Sequence, residues 1–521
     1  MRSAIKPILR AIPATRQVDA RHYGVHPYFT RRPANVVRAY IERYSCEGDT
    51  ILDPFGGTGV TAIEAFLLGR KAIQNDLNPF ANFIAESVVD TTLRTTLPVR
   101  EAFGRIEESC AAILTKIERD VSATRRLLKR VQLPENIRLP KNSDAEFFHD
   151  MFTPKQLAGL ALLKEAIERE SDGMAQKLLM LAWSASIAKL NKTFLSAKGR
   201  AASRGGSSIF SIYRYKLAKQ HVELPIWDTF RGRFANVLAA KEEVLKLRTY
   251  REQQLRGART LDSRKDFRAL SHDASTLDET LGAETVDYVF TDPPYGAFIS
   301  YLDLSILWNH WLGLPVSEEA RNQETIVGGE RAHSESHYKQ SLRRSIESSM
   351  RLLRPDRWIS IVFQHWDVSY FSTILEAVTG CGGELKAAIT QTGDVIWSMH
   401  KKKNPTGVLA GEMILTFYKP LRVRAVKSRM NRIAEKKRDN VLSEVFDTCL
   451  RNGAHSFTSE ELFNRLVIEL WRRRALNCLS LDRQEFASEL EVRGWAYSSR
   501  THRWTKRGSV ERLAQLSLFS S

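Results

Sequence analysis

Within four residues, Asp292-Pro293-Pro294-Tyr295 brings together a carboxylate, two rigidly held carbonyls and an aromatic ring. Asp292 and the carbonyl of Pro293 can both accept hydrogen bonds from a planar NH2 group, while Tyr295 stacks on the ring carrying that group. Acceptors placed this way favour a pyramidal nitrogen and localise a lone pair otherwise delocalised into the ring. An ordinary strand ending in a Pro-Pro turn would have the same four residues. A second stretch, Asp53-Pro54-Phe55-Gly56-Gly57-Thr58-Gly59-Val60-Thr61, is a glycine loop of the kind that lets backbone approach a nucleotide-like ligand closely. Further on, Ile73-Gln74-Asn75-Asp76 ends in an acid suited to holding ribose hydroxyls.

Each of these groups needs a strand to carry it. Val286-Asp287-Tyr288-Val289 is a short apolar run that reads as a buried strand, ended by two prolines that cannot donate to a ladder. Thr50-Ile51-Leu52 reads as a second strand, running through the glycine loop into a helical pattern over Ala62 to Leu68. Open α/β sheets hold ligands at the carboxyl ends of their strands, where both motifs would lie.

Asp53-Pro54-Phe55 with Gly57 and Gly59, followed by Asp292-Pro293-Pro294-Tyr295, resembles the amino-group DNA methyltransferases that use S-adenosylmethionine and modify adenine N6 or cytosine N4. The resemblance covers residues 22–90 and 265–420. It implies a Rossmann-like α/β sheet with a closing antiparallel hairpin, and a catalytic group of Asp292, Pro293, Pro294 and Tyr295. It also implies a cofactor pocket built from Asp53, Phe55, Gly57, Gly59, Thr61 and Asp76, with Asp273 on the adenine and His26 and Tyr28 near the methionine end. A core aromatic cluster would equally account for His26, Tyr28 and Phe29; Phe80 or Leu77 would cover the adenine ring, with plain core an equal reading of Phe80. An aspartate at the head of the motif leans toward adenine, since the cytosine-N4 members more often carry Ser or Thr there. No metal is required.

The formal net charge of +18 over 521 residues concerns partners more than fold, and a polyanion such as double-stranded DNA is the expected one. No apolar run approaches a membrane span, so no membrane association is expected. Residues 1–21 are a basic arm without a secretory core. Five scattered cysteines without metal-ligand spacing point to free thiols in a reducing cytoplasm; the resemblance implies a bacterial-type cytoplasm and association with the nucleoid. With no Pro-Cys pair, the covalent route to cytosine C5 has no evident nucleophile.

Five segments follow. After the arm come a cofactor-binding half over 22–90, a mostly helical insertion over 91–264, a catalytic half over 265–420, and a basic, helical, winged-helix-like unit over 421–521. The insertion is the candidate target-recognition region, because Lys189 to Lys219 has many cations and no acid. Lys192, Lys198, Arg200, Arg204 and Arg214 are the expected phosphate contacts, although a solvated basic linker would look similar. The expected function is methyl transfer to the amino group of a flipped base in duplex DNA, with a restriction or defence-system protein as a fitting partner. The rival readings are cytosine-N4 or RNA amino-group methylation and, outside enzymes, a DNA-binding protein on an inactive methyltransferase fold.

Overall fold

The computed structural model describes residues 4–15, 20–195, 206–211, 213–218, 223–255, 260–296, 299–391, 412–422, 435–451, 456–476 and 483–506. A seven-stranded sheet contains β1 (Thr50–Asp53), β2 (Lys71–Asn75), β3 (Phe267–Leu270), β4 (Val286–Thr291), β5 (Leu353–Phe363), β6 (Glu384–Gln391) and β7 (Glu412–Lys419). The strands lie in the order β3-β2-β1-β4-β5-β7-β6. Pairing is parallel from β3 to β5, and β7 runs antiparallel to both of its neighbours. This is the Rossmann-like methyltransferase sheet with its antiparallel hairpin, and the last strand enters between β5 and β6. The chain order reverses between β1 and β4, so the two motifs end adjacent strands at the switch point where such sheets bind ligands.

All six residues of β4 are buried, which is why the strand reads as a continuous apolar run. Its side chains alternate between two cores. Tyr288 and Phe290 join Ile51, Trp358 and Val362 on one face, while Val289 joins Leu52, Ile359, Ile361 and Phe363 on the other. In the Leu352-to-Arg357 stretch, which reads as a turn, Leu352 ends a helix and Leu353 to Arg357 open β5. Between the pairs Val286–Leu353 and Tyr288–Trp358 the register shifts, and Asp356 takes a positive φ of 58°. The turn residues are thus absorbed as an irregularity within the strand.

On the first face lie α1 (Ala34–Tyr44), α2 (Val60–Leu67) and α3 (Pro79–Val89). Val36, Val37, Tyr40, Ile41 and Tyr44 of α1 are all buried, as their helical spacing requires. The stretch between the motif halves supplies α4 (Leu97–Ile117), α5 (Val121–Leu128), α6 (Pro154–Glu168), α7 (Gly173–Ile187) and α8 (Ile226–Gln254). Their apolar side chains belong to the same continuous core as α1 to α3. Trp308 donates to the Ser184 carbonyl at 3.1 Å, joining the stretch after the catalytic motif to α7.

On the second face lie α9 (Glu335–Leu352) and α10 (Val368–Gly380). The C-terminal unit follows as α11 (Glu435–Arg451), β8 (Ser456–Phe457), α12 (Ser459–Arg472), α13 (Arg483–Val492), β9 (Trp495–Ser498) and β10 (Arg503–Lys506). Its strands form a small antiparallel sheet in the order β8-β10-β9. Thr458 and Glu461 close the capping box that starts α12. Trp366, just past β5, packs against Phe463 and Phe486 of this unit at 4.8 and 5.9 Å between ring centroids. Asn464 reaches Thr390 of β6 at 3.1 Å.

The described part of the basic arm does not stand free. The Tyr44 hydroxyl accepts from the Ile8 amide, Asn35 donates to the Pro13 carbonyl, and Ile12 pairs with Gln391. Among the described residues no helix is long and apolar enough to cross a membrane.

Candidate active site

The glycine loop is shaped by its neighbours on β2. The Gly56 amide donates to the Asn75 carbonyl at 2.8 Å, and Gln74 donates to the Gly57 carbonyl at 2.8 Å. A Cβ on Gly56 would collide with the Gln74 amide, so this position excludes side chains although Gly57 and Gly59 are the more evident glycines. Gly57 has a φ of +52°, and a Cβ there would meet the Tyr28 ring only at an ordinary contact distance of 3.8 Å. Gly59, at the start of α2, has a φ of +85°, and a Cβ there would lie 2.6 Å from the Ala85 Cβ on α3. The role of Gly59 is therefore close helix packing.

A cavity of about 900 Å3, open to solvent, sits over the carboxyl ends of β1, β2 and β4. Of the expected cofactor residues, Tyr28, Asp53, Phe55, Gly57, Thr61, Asp76 and Asp273 line it. From the catalytic motif, Asp292 and Pro294 line it too, so the two motifs share one space. Leu77 is in the wall, whereas Phe80 is buried and stacks on Trp308 at 5.1 Å.

His26 and Gly59 are absent from the wall. The His26 imidazole is fully buried, meets Phe80 and Trp308 edge-on, and bonds the Pro27 carbonyl through Nδ1 at 2.8 Å. Burial pushes its pKa down to about 3, so the ring is neutral and belongs to the aromatic core.

Three carboxylic acids in the wall are held unusually high. Burial pushes Asp53 up to about 7, against hydrogen bonds that include the Phe55 amide at 3.1 Å. Burial also takes Asp76 to about 6, although its oxygens accept from the Gly57 and Asn78 amides at 2.8 and 2.9 Å. With one amide bonded to each oxygen, the Asp76 carboxylate keeps further acceptor capacity. Glu324 is pushed up to about 8 by burial, and its carboxyl accepts from the Leu302 amide at 2.9 Å. Asp273 caps the turn after β3, accepting from the Ser275 amide at 2.9 Å and hydroxyl at 2.6 Å.

Two arginines missing from the sequence-based site are prominent here. Arg31 lines the cavity, donates to the Thr58 hydroxyl at 3.0 Å and to the His26 carbonyl, and has its pKa lowered to about 10 by burial. Arg32 is 15% exposed and donates to Asp292, to Glu412 at the start of β7, and to the Tyr295 hydroxyl at 2.5 Å. Burial opposes the Arg32 charge, but Asp292 and Tyr295 outweigh it and hold the guanidinium above its ordinary pKa. Nothing in the local sequence marks either residue, since they precede Pro33 as an ordinary polar lead into α1.

The motif itself is tightly held. The Tyr295 hydroxyl donates to Asp292 Oδ1 at 2.5 Å, its ring meets Phe363 edge-on at 5.3 Å, and Pro294 accepts from the Tyr338 hydroxyl at 2.5 Å. Tyr295 and Pro293 do not line the cavity, so in this state Tyr295 orients Asp292 and presents no open stacking face to the cavity. Tyr301, which reads as core beside Trp308 and Trp311, instead lines the cavity with Gln323, Glu324 and Thr325.

Of the expected phosphate contacts, Lys192 donates to the Asp150 carbonyl at 3.0 Å, and Arg214 pairs with Asp144 at 2.6 Å. Lys198, Arg200 and Arg204 lie outside the described residues. The aromatics interleaved with them turn inward: Tyr215 is buried and donates to the Leu304 carbonyl at 2.7 Å, and Phe210 packs on Trp308 at 5.5 Å.

Fold and cavity together define an α/β domain of methyltransferase topology with its ligand space at the switch point. Residues 11–86 match the family model of N6/N4 methyltransferases, described as DNA methylase. A type II methyltransferase, M.MthZI of Methanothermobacter thermautotrophicus, is 29% identical over 138 residues, which are 24% of this chain and 37% of that protein. A second, M.MjaII of Methanocaldococcus jannaschii, is 36% identical over 64 residues, 12% of each chain. The chain thus spans about a third or less of the length of these relatives. A solved Thermus thermophilus chain, described as a DNA modification methylase, aligns over 33% of this chain and 61% of its own at 16% identity and a TM-score of 0.17. Over these stretches the chain is similar to N6/N4 DNA methylases and to type II methyltransferases.

Proposed function

We propose that this protein transfers a methyl group from S-adenosylmethionine to the exocyclic amino group of a flipped base in duplex DNA, with adenine N6 favoured over cytosine N4. The observation that carries the reading is the opening of Asp292 into the same cavity as Asp53, Asp76 and the Gly57 backbone. The wall fits a nucleoside with a zwitterionic tail. Asp76 has acceptor sites for ribose hydroxyls, Asp273 and Leu77 offer an acceptor and an apolar face for the adenine, and Arg31 offers a guanidinium for the tail carboxylate. Gly57 leaves room for close approach.

The bound cofactor supplies an activated methyl on a sulfonium. The residues of this chain hold the amine in line with it and draw its lone pair forward. Asp292 accepts from the NH2 group, and its negative charge favours the positive charge that arrives on nitrogen. The proton lost from nitrogen passes to Asp292 or to water. A base inside a duplex must leave the stack to reach Asp292, at a cost of a few kcal/mol. The formal charge of +18 suits a nucleic-acid partner, and the family's name favours DNA over RNA.

The test is transfer of labelled methyl to duplex DNA, followed by digestion to nucleosides. N6-methyladenine is the expected product, N4-methylcytosine would overturn the choice of base, and labelled RNA with unlabelled DNA would overturn the choice of polymer. Asp292→Ala is expected to bind cofactor normally and transfer nothing. Equal transfer by this variant would refute the mechanism, and folded wild-type protein that binds cofactor without transfer would revive the inactive-fold reading.

A further inference from the structure

Asp292 is held by more than its own motif. Arg32 Nε donates to Oδ2, the Tyr295 hydroxyl donates to Oδ1 at 2.5 Å, and a second Arg32 nitrogen donates to Glu412. A third Arg32 nitrogen reaches Tyr295 Oη at 2.5 Å, so one guanidinium ties together the two motif side chains and β7. The charged groups are mostly buried, with 15%, 20% and 22% of the Arg32, Asp292 and Glu412 side chains exposed. They come from sequence-distant places: the lead into α1, the end of β4 and the start of β7.

We infer that Arg32 and Glu412 are positioning residues for methyl transfer, which fix the Asp292 carboxylate and set the charge of the site; this rests on the function proposed above. A carboxylate offers about four acceptor sites, and Arg32 and Tyr295 occupy two of them. One lone pair on each oxygen is left for the substrate NH2, in an orientation the carboxylate cannot rotate away from. The motif thus gains a fixed acceptor without losing its acceptor capacity.

Glu412 answers a second requirement. In the transfer, the C–S bond of the sulfonium breaks as the N–C bond forms, so positive charge moves from sulfur to nitrogen before the nitrogen sheds its proton. A guanidinium beside Asp292 would cancel the carboxylate's attraction for that arriving charge. With Glu412 on its other edge, the Arg32–Asp292–Glu412 cluster keeps a net charge of about −1 at neutral pH. Because these three side chains are mostly buried, this difference acts on the transition state more strongly than it would in water. A lysine could supply the charge of Arg32, but it lacks the planar fork that reaches three partners at once.

Wild type, Arg32→Ala, Arg32→Lys and Glu412→Gln are compared in single-turnover transfer and in cofactor binding by calorimetry. Glu412→Gln keeps an acceptor for Arg32 and removes the charge, and is expected to lower the transfer rate by about 10- to 100-fold with cofactor affinity within about twofold of wild type. Arg32→Ala is expected to lose at least as much and to recover part of its rate in added guanidinium, while Arg32→Lys stays slow. Recovery by a small cation separates positioning from mere structural support. Wild-type rates in Glu412→Gln, or faster transfer in Arg32→Ala as the release of a plug would give, overturn this inference and leave the proposed function standing. Absence of transfer by wild type overturns the function, and this inference with it.

Discussion

Asp53 carries a stability cost that pH can expose. Its carboxyl stands at about 7 instead of 3.8 because burial disfavours the charged form, with the neighbouring Asp292 charge adding a smaller push. Unfolding returns Asp53 to water and to its ordinary pKa. Between about pH 4 and 7 the folded chain therefore holds a proton that the unfolded chain has released. Stability contributed by this group is full below about pH 4, falls as pH rises through that window, and is lost above about 7. At about 1.36 kcal/mol per pKa unit, the penalty at pH 8 is about 4 kcal/mol at most. Asp53→Asn keeps an oxygen for the Phe55 amide and removes the ionisation. It is expected to match wild type near pH 4 and to exceed it by about 2–4 kcal/mol at pH 8. Urea unfolding of both proteins without cofactor, at the two pH values, measures the difference directly. A gap that does not change with pH would refute the reasoning, because the substitution would then be acting through packing alone. Weaker cofactor binding by the stabler variant would identify the charge as a cost borne for ligand.

Gly59→Ala meets both a left-handed backbone and the Ala85 methyl 2.6 Å away, so it should lose about 2–5 kcal/mol of stability in urea. Gly57→Ala has the backbone strain without the collision and should lose only about 1–2 kcal/mol, with its larger effect on cofactor affinity in calorimetry. Trp366→Ala removes the ring between Phe463 and Phe486 and should cost about 2–4 kcal/mol. Limited proteolysis should then cut first in the C-terminal unit; wild-type protection there would show that Trp366 does not hold it.

The strands and motifs were legible because their signals are local. The apolar run of β4 and the strand, glycine loop and helix from Thr50 to Leu67 each depend on a few adjacent residues. What escaped depends on partners hundreds of residues away. Arg32 finds Asp292 at a separation of 260 and Glu412 at 380, and no periodicity encodes such a meeting. Tyr301 has the same spacing as the buried Trp308 yet faces the cavity, since the turn of a short helix decides its direction. Gly59 shows the opposite limit. Its presence in the loop was plain, but its reason, the Ala85 contact, lies in a helix pair that the loop alone does not reveal. The placement of β7 between β5 and β6 is likewise a pairing choice, and pairing partners are not written in either strand's own pattern.

The sheet's wiring also sets a timetable for the chain as it is synthesised. β1 pairs with β4 through Ile51 and Tyr288, so the centre of the sheet must wait for the whole intervening helical stretch to leave the ribosome. At about 5–20 residues per second, roughly 12–50 seconds separate the two strands' emergence, during which β1 and β2 lack a neighbour on one side. Helices α4 to α8 share a core with α1 to α3 and are available in that interval to shelter the apolar surface. The site is completed later still, when Glu412 arrives at the head of β7 and closes on Arg32. A nascent chain therefore completes its glycine loop and the cavity wall around Asp76 well before the Arg32–Glu412 contact forms beside Asp292.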